Sequence, residues 1–229
     1  MISEAVHMDN MAYMAGFPDK FFDLAIVDPP YGLNFGSFNR TNTDSTGVKR
    51  KANKYKNSEW DIAIPNQEYF NELFRVSKNQ VIFGGNYFPL PPTQCFIFWY
   101  KQNPVANFSD GELAWTSFRK PALCFDYRYF GNISGKSSAD VKHHPTQKPI
   151  QLYDFVLKKL GGGVRSVIDT HLGSGSSRIA AYNNGFDFYG CELDKDYFEA
   201  QEKRFTKHIA QTQLFAPEKQ QQLIQTSLL

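Results

Sequence analysis

Four carboxylates in this chain stand where an apolar run gives way to a turn, and their surroundings could do chemistry. The run ending "LAIV" meets Asp28-Pro29-Pro30-Tyr31. Prolines fix the backbone and remove N–H donors, so nearby carbonyls stay free to accept. One carboxylate, one free carbonyl and one aromatic ring together suit a flat base bearing an exocyclic amine: the amine donates twice and the ring stacks. The same four residues also suit an ordinary proline turn after a strand. A second run, "SVID", ends in Asp169 and enters Leu172-Gly173-Ser174-Gly175-Ser176. Glycines there let the backbone approach a ligand closely, and the helix that follows presents free amides and a positive dipole end. Twenty-three residues after Asp169, the run "FDFYGCE" ends in Glu192, followed by Leu193. An acid at that position can hold ribose hydroxyls. No Gly-Lys-Ser/Thr follows the glycines, so this is not a phosphate-binding P-loop. The fourth acid is Asp9, beside Asn10, after a short run ending at Met8.

The elements that must position these groups follow from period and punctuation. Strands are expected over Ala5–Met8, into Asp28, over Val81–Phe83 before Gly84-Gly85, within "CFIFWYK", "ELAWTSF" and "ALCFDYRYF", and into Asp169 and Glu192. Helices are expected around Asn10–Ala15, over "NQEYFNELFRVSK" with Tyr69, Phe70, Leu73, Phe74 and Val76 on one face, and over "PIQLYDFVLKKL". Two more follow the Gly loop and Glu192. Alternating strands and helices imply an α/β fold, a mostly parallel central sheet with helices on both faces. Ligands in such sheets sit outside the carboxyl ends of the strands, which gathers Asp9, Asp28, Gly84 and Asp169 on one edge. The tail beyond Thr212 is polar and Gln-rich, and is expected to fray.

With 229 residues, 41% hydrophobic and 21% charged, the chain suits one domain spanning 1–229. Three cysteines, far apart and odd in number, offer no disulfide framework and no metal-ligand spacing, and fit a reducing cytoplasm. No membrane span or signal peptide is read in the sequence. The net charge of +2 conceals an uneven distribution. Between Gly32 and Ser58, Arg40, Lys49, Arg50, Lys51, Lys54 and Lys56 face a single acid, Asp44. Between Arg119 and Lys148 six basic residues, Arg119 and Lys120 among them, face two acids. Basic charge gathered in polar stretches suits arms that grip phosphates, and equally suits solvated loops. The stretch 32–58, without apolar period, is expected to be a mobile basic loop.

These residues carry a family resemblance. Asp28-Pro29-Pro30-Tyr31 resembles the catalytic motif of amino-group DNA methyltransferases. Asp169 to Ser176 resembles their S-adenosyl-L-methionine loop, with Thr170-His171 where Pro-Phe is usual. His144-Pro145-Thr146-Gln147-Lys148-Pro149 is similar to the cofactor-contacting segment before that loop, and Met8-Asp9-Asn10 to the one ahead of the catalytic motif. "VIFGGNYF" and "NFSDGELAW" are similar to further family segments. The resemblance runs from Asp9 to about Arg204. Catalytic motif first and Gly loop last is the order of the β class, and Asp at the motif's head is its adenine-specific form.

The resemblance implies a Rossmann-like methyltransferase fold and transfer of a methyl group from S-adenosyl-L-methionine to the N6 amine of adenine in double-stranded DNA, after the base is flipped out. Asp28 and the Pro29 carbonyl would accept from the amine, with Pro30 shaping the turn and Tyr31 stacking on the base. The Gly loop (Asp169, Leu172, Gly173, Ser174, Gly175, Ser176) would hold the methionine moiety. Glu192, beside Leu193, would hold the ribose, and Asp9, with Asn10, the adenine of the cofactor. Gln147 and Lys148 would approach the methionine carboxylate. The stretch 103–142 is the room left for a small target-recognition region. A monomer or homodimer, with a restriction enzyme as companion, would fit. Other readings are an N4-cytosine or RNA methyltransferase and a non-catalytic nucleic-acid-binding homologue.

Overall fold

The computed structural model describes residues 1–33, 64–102, 109–129 and 146–214. The basic residues from Arg40 to Lys56, and His144-Pro145, lie outside the described residues, as does the tail beyond 214. In chain order the elements are β1 (Ser3–His7), α1 (Asn10–Ala15), β2 (Phe22–Val27), α2 (Gln67–Val76), β3 (Ser77–Phe83), a 3₁₀ turn (Gly85–Tyr87), β4 (Phe96–Tyr100), β5 (Gly111–Thr116), β6 (Leu123–Asp126), α3 (Ile150–Leu160), β7 (Ser166–Asp169), α4 (Ser176–Asn183), β8 (Asp187–Glu192) and α5 (Lys195–Leu214).

The strands form one eight-stranded sheet in the order β1-β8-β7-β2-β3-β5-β4-β6. All neighbours pair in parallel except those of β5, which runs antiparallel to both β3 and β4. Alternation along β2 divides the core between the two faces. Leu24 and Ile26 pack with Leu152 and Val156 of α3 and Ala180 and Ala181 of α4. Ala25 and Val27 pack on the other face with Tyr69, Phe70 and Leu73 of α2 and Met14 of α1. All four of these β2 residues are buried, which is why they read as an unbroken apolar run rather than an alternating one.

Sheet position follows from the crossovers. From β2 the chain moves outward to β3; from β7 it moves outward the opposite way, to β8. Since β2 and β7 are neighbours, the crevice between their carboxyl ends is the sheet's switch point, where open α/β sheets place ligands. At the opposite edge, Asp23 Oδ2 accepts from the amides of Arg165 (2.9 Å) and Ser166 (3.2 Å), pinning the foot of β2 to β7. Burial opposes its charge, but Lys78 and these amides outweigh burial and hold the carboxyl down at about 2.

Strand β3 starts four residues earlier than the apolar period predicts. Its polar opening is satisfied internally: Ser77 Oγ donates to Leu73 O (2.5 Å), and Gln80 Nε2 donates to Ser77 O and Oγ (3.0 Å each). Within 103–142, residues Gly111–Thr116 and Leu123–Asp126 are strands of the central sheet rather than parts of a separate unit.

Candidate active site

The switch-point crevice gathers three loops. After β2, the turn Asp28-Pro29-Pro30-Tyr31 folds back on itself. Tyr31 Oη donates to Asp28 Oδ1 (2.7 Å), and its ring stacks on Tyr87, centroids 4.9 Å apart and planes 15° apart. Gly84 lies under that ring in the left-handed conformation (φ 67°), and a Cβ there would stand 2.2 Å from the ring edge. Glycine is required on both counts. Burial and the neighbouring Asp28 and Glu112 carboxylates push the Tyr31 phenol well above its ordinary range, so it stays a neutral donor.

Lys148 enters beside this turn from the segment ahead of α3. Its side chain is 4% exposed. Nζ donates to Asp28 Oδ1 (2.5 Å) and Tyr31 Oη (3.0 Å) and lies 3.5 Å from Glu112 Oε2. The rings of Phe83 and Tyr31 stand 5.0 and 5.3 Å from the ammonium. Burial alone would lower its pKa; Asp28 and Glu112 outweigh burial and raise it above the ordinary lysine value, so Lys148 is charged. Glu112, at the start of β5, also accepts from Lys101. Sequence reasoning singles out neither Glu112 nor Lys101. The one signal was the alternation of "GELAW" at a strand's entry, which cannot say which sheet edge the strand starts from.

The second loop follows β7. Asp169 is buried; Oδ1 accepts from the His171 amide (3.0 Å) and Oδ2 from Ser177 Oγ (2.5 Å). The carboxylate thus ties the loop's start to the first turn of α4. Burial raises its pKa to about 7, with the Asp28 and Glu192 charges acting in the same direction and the two hydrogen bonds against. Gly173 (φ 50°) and Gly175 (φ 74°) are left-handed, and a Cβ on Gly175 would press on Gln201 of α5 at 3.1 Å. Arg204 of α5, which sequence reasoning missed, donates to Ser174 O (2.7 Å) and Ser176 Oγ (3.0 Å) and fastens the loop from behind. Leu172 is buried, its amide on Cys191 O (3.1 Å). Where the family has Pro-Phe, Thr170 and His171 build a polar cluster. Thr170 Oγ1 bonds Tyr69 Oη (2.7 Å), and His171 Nε2 pairs with Asn10 Nδ2 (3.1 Å). Burial lowers the imidazole pKa to about 4, so it is neutral.

The third loop follows β8. Glu192 Oε2 accepts from the Gly173 amide (2.7 Å) and Oε1 from the Asp194 amide (2.9 Å), so one carboxylate joins the ends of β7 and β8. Leu193 is exposed beside it. Asp9 lies nearby as the N-cap of α1, Oδ1 accepting from Met11 and Ala12 amides at 3.0 Å. Gln147 is buried beside Lys148.

Arg119 and Lys120 do not join the site. Because β5 is antiparallel, the chain leaves it at the sheet's opposite edge, where Lys120 Nζ donates to Lys159 O at the foot of α3. Sequence alone did not orient β5, so their shared stretch with Lys148 did not reveal that separation.

Residues 90–203 match the model of the DNA methylase family. Two curated relatives align along most of the chain. The Escherichia coli (strain K12) protein YubD, named as a methylase, is 26% identical over 89% of this chain and 90% of its own length. The Type II methyltransferase M2.MboI of Moraxella bovis is 22% identical over 84% of each. Among solved structures, the M1.HpyAVI–SAM complex superposes with a TM-score of 0.54 at 19% identity, over 90% of this chain and 99% of that one. The cytosine-N4-specific PvuII DNA methyltransferase superposes equally, at 0.54 and 14% identity, over 90% and 86%. The structures share the fold; the DNA methylase family model and the curated Type II relatives, with the Asp28 turn and the Gly loop on one edge, support an amino-group DNA methyltransferase.

Proposed function

We propose that the protein methylates the N6 amine of adenine in duplex DNA, using S-adenosyl-L-methionine. The observation that carries this reading is the Asp28 turn: an acid heads it, and it shares the β2/β7 crevice with the Gly loop. The residues present fit the cofactor. The charges bearing on buried Asp169 are two further carboxylates, Asp28 and Glu192, a donor set suited to a ligand of net positive charge bearing a ribose diol. The Gly loop, Asp169, Glu192, Leu193, Asp9, Asn10 and Gln147 would hold it. When bound, the cofactor supplies an electrophilic methyl group on a cationic sulfur.

The chain's own residues then act on the base. Asp28 and the Pro29 carbonyl accept from the two amine hydrogens and turn the nitrogen lone pair out of conjugation with the ring. Carboxylates are too weakly basic to deprotonate a neutral amine beforehand. The amine therefore loses its proton only as the nitrogen–methyl bond forms, when it has become acidic. Catalysis is mainly positioning and fixed dipoles. Tyr31 stacks on the base, and Tyr87 continues the aromatic surface towards solvent. Lys148, whose three N–H groups face Asp28, Tyr31 and Glu112, serves this side of the site rather than the methionine carboxylate.

The basic stretch with Arg40, Lys49, Arg50, Lys51, Lys54 and Lys56 is assigned to DNA phosphates. The protein would work in the cytoplasm as a monomer or homodimer; Type II methyltransferases among its relatives favour a restriction enzyme as companion. No helix among the described residues is long and apolar enough to cross a membrane. The test is methylation of mixed duplex DNA by the purified protein, followed by nucleoside mass spectrometry. N6-methyladenine is expected. N4-methylcytosine would transfer the reading to the alternative that the PvuII-type fold permits, and methylation of RNA alone would refute DNA as substrate.

A further inference from the structure

The acceptor in the catalytic turn is already occupied. Asp28 Oδ1 holds two donors, Lys148 Nζ at 2.5 Å and Tyr31 Oη at 2.7 Å. One carboxylate oxygen offers about two lone-pair sites, so the ammonium competes with any amine that approaches this oxygen. Lys148 has no easy exit to water, being 4% exposed. A buried ammonium stripped of its anion is strongly unfavourable. Engagement of the amine at Oδ1 therefore requires a second anion within reach, and one is present: Glu112 Oε2, 3.5 Å from Nζ. That separation is an ion-pair distance but longer than a charge-assisted hydrogen bond. Glu112 is anchored by Lys101 at its other oxygen and by the β4/β5 ladder opposite Trp99. Lys101 is itself set over the Trp99 ring, 4.7 Å from its centroid. The anion is fixed, so the ammonium must be the group that moves.

We propose that Glu112 is a positioning residue: it takes the Lys148 ammonium when the target amine engages Asp28, freeing the acceptor oxygen without leaving a buried charge unpaired. Closing the gap to hydrogen-bond length needs a shift of only about 0.7 Å. The four charged groups balance, Asp28 and Glu112 against Lys148 and Lys101, before and after the shift. The groups facing Lys148 are Asp28 and Tyr31 from the turn after β2 and Glu112 from β5; Lys101 after β4 acts on Glu112, and the Tyr153 phenol of α3 is under the Asp28 and Glu112 charges. The inference rests on the amine-methylation reading, and its test separates the two.

The first readout is independent of turnover. In protein labelled with ¹³C at lysine Cε, the Lys148 signal is identified by its disappearance in Lys148→Met. It titrates above the ordinary lysine value in the wild type and lower in Glu112→Gln. Glu112→Asp, which keeps the charge, retains the raised titration. An unchanged titration in Glu112→Gln, or the same fall in both variants, overturns the pairing. The second readout is single-turnover methyl transfer with saturating cofactor. Glu112→Gln is expected to lose at least tenfold at pH 7, with cofactor Kd within threefold, and to recover along the variant's own measured Lys148 titration as the ammonium sheds its proton. In the Lys148→Met background the same substitution should cause no further loss. A Glu112 that merely supports packing would cost the same factor in both backgrounds at every pH, and that result overturns the inference. A wild-type protein that methylates nothing would instead strike the activity reading, leaving the titration to decide the pair.

Discussion

Cofactor affinity should depend on pH through Asp169, and Asp169→Asn should remove that dependence. The free carboxyl, buried and under the charges of Asp28 and Glu192, has a pKa of about 7. A ligand of net positive charge in the same crevice favours its ionised form. If only that form binds, observed affinity scales as 1/(1 + 10^(7 − pH)). Affinity should then fall about tenfold from pH 8 to pH 6, or ~1.4 kcal/mol. His171 does not confuse the window, because burial holds its pKa at about 4. Asparagine is nearly isosteric: its oxygen can still accept from the His171 amide and its nitrogen can donate to Ser177 Oγ. Titration calorimetry with S-adenosyl-L-methionine at pH 6, 7 and 8 measures the effect. The ligand's own amino group titrates near the upper limit of this range, so the readout is the difference between wild type and variant. The linkage has a second consequence in the unliganded protein. The folded pKa lies above the ordinary carboxyl value of 3.8. Protonation therefore favours the fold, and the favourable contribution is lost as pH rises through about 7. Asp169→Asn should accordingly gain melting temperature relative to wild type at pH 8 and not at pH 4. Equal pH slopes for wild type and variant would refute the assignment.

Gly84→Ala should displace Tyr31, since its Cβ would meet the ring at 2.2 Å from a left-handed backbone; we expect at least tenfold slower single-turnover transfer with cofactor Kd changed by no more than a few-fold. Asp28→Ala should abolish transfer while leaving cofactor affinity within a few-fold, and a large loss of binding would show the site to be wrongly partitioned. Glu192→Ala removes the acceptor of the Gly173 and Asp194 amides and of the proposed ribose interaction, and should weaken cofactor binding by ~1.5–3 kcal/mol in calorimetry. Neutralising Lys49, Arg50, Lys51, Lys54 and Lys56 together should weaken DNA binding without changing cofactor affinity, flattening the log–log salt slope by up to ~0.9 for each phosphate no longer neutralised; an unchanged slope would mean a solvated loop that touches no DNA.

The local features of the site were legible in the sequence because they are local in origin. Asp28-Pro29-Pro30-Tyr31 states its own rigidity, and the glycines at 173 and 175 state a backbone that turns left-handed. The apolar runs before Asp28 and Asp169 state two-sided burial, and β2 shows it, with alternate residues in two cores. Asp9 reads as an acid at a strand's end, and by resemblance as a cofactor contact; its capping of α1 emerges only in the fold. What the sequence left open was everything decided by strand direction and by partners far along the chain. Nothing local distinguishes a parallel β5 from an antiparallel one. Yet that single reversal puts Glu112 into the site and carries Arg119 and Lys120 to the far edge. Lys148 reads from its segment as a cofactor ligand; only packing shows it at Asp28, 120 positions away. Arg204 reads as one charge on a long helix and proves to be the clamp behind the Gly loop. A buried charge is defined by what surrounds it, and those surroundings are assembled only when the sheet closes.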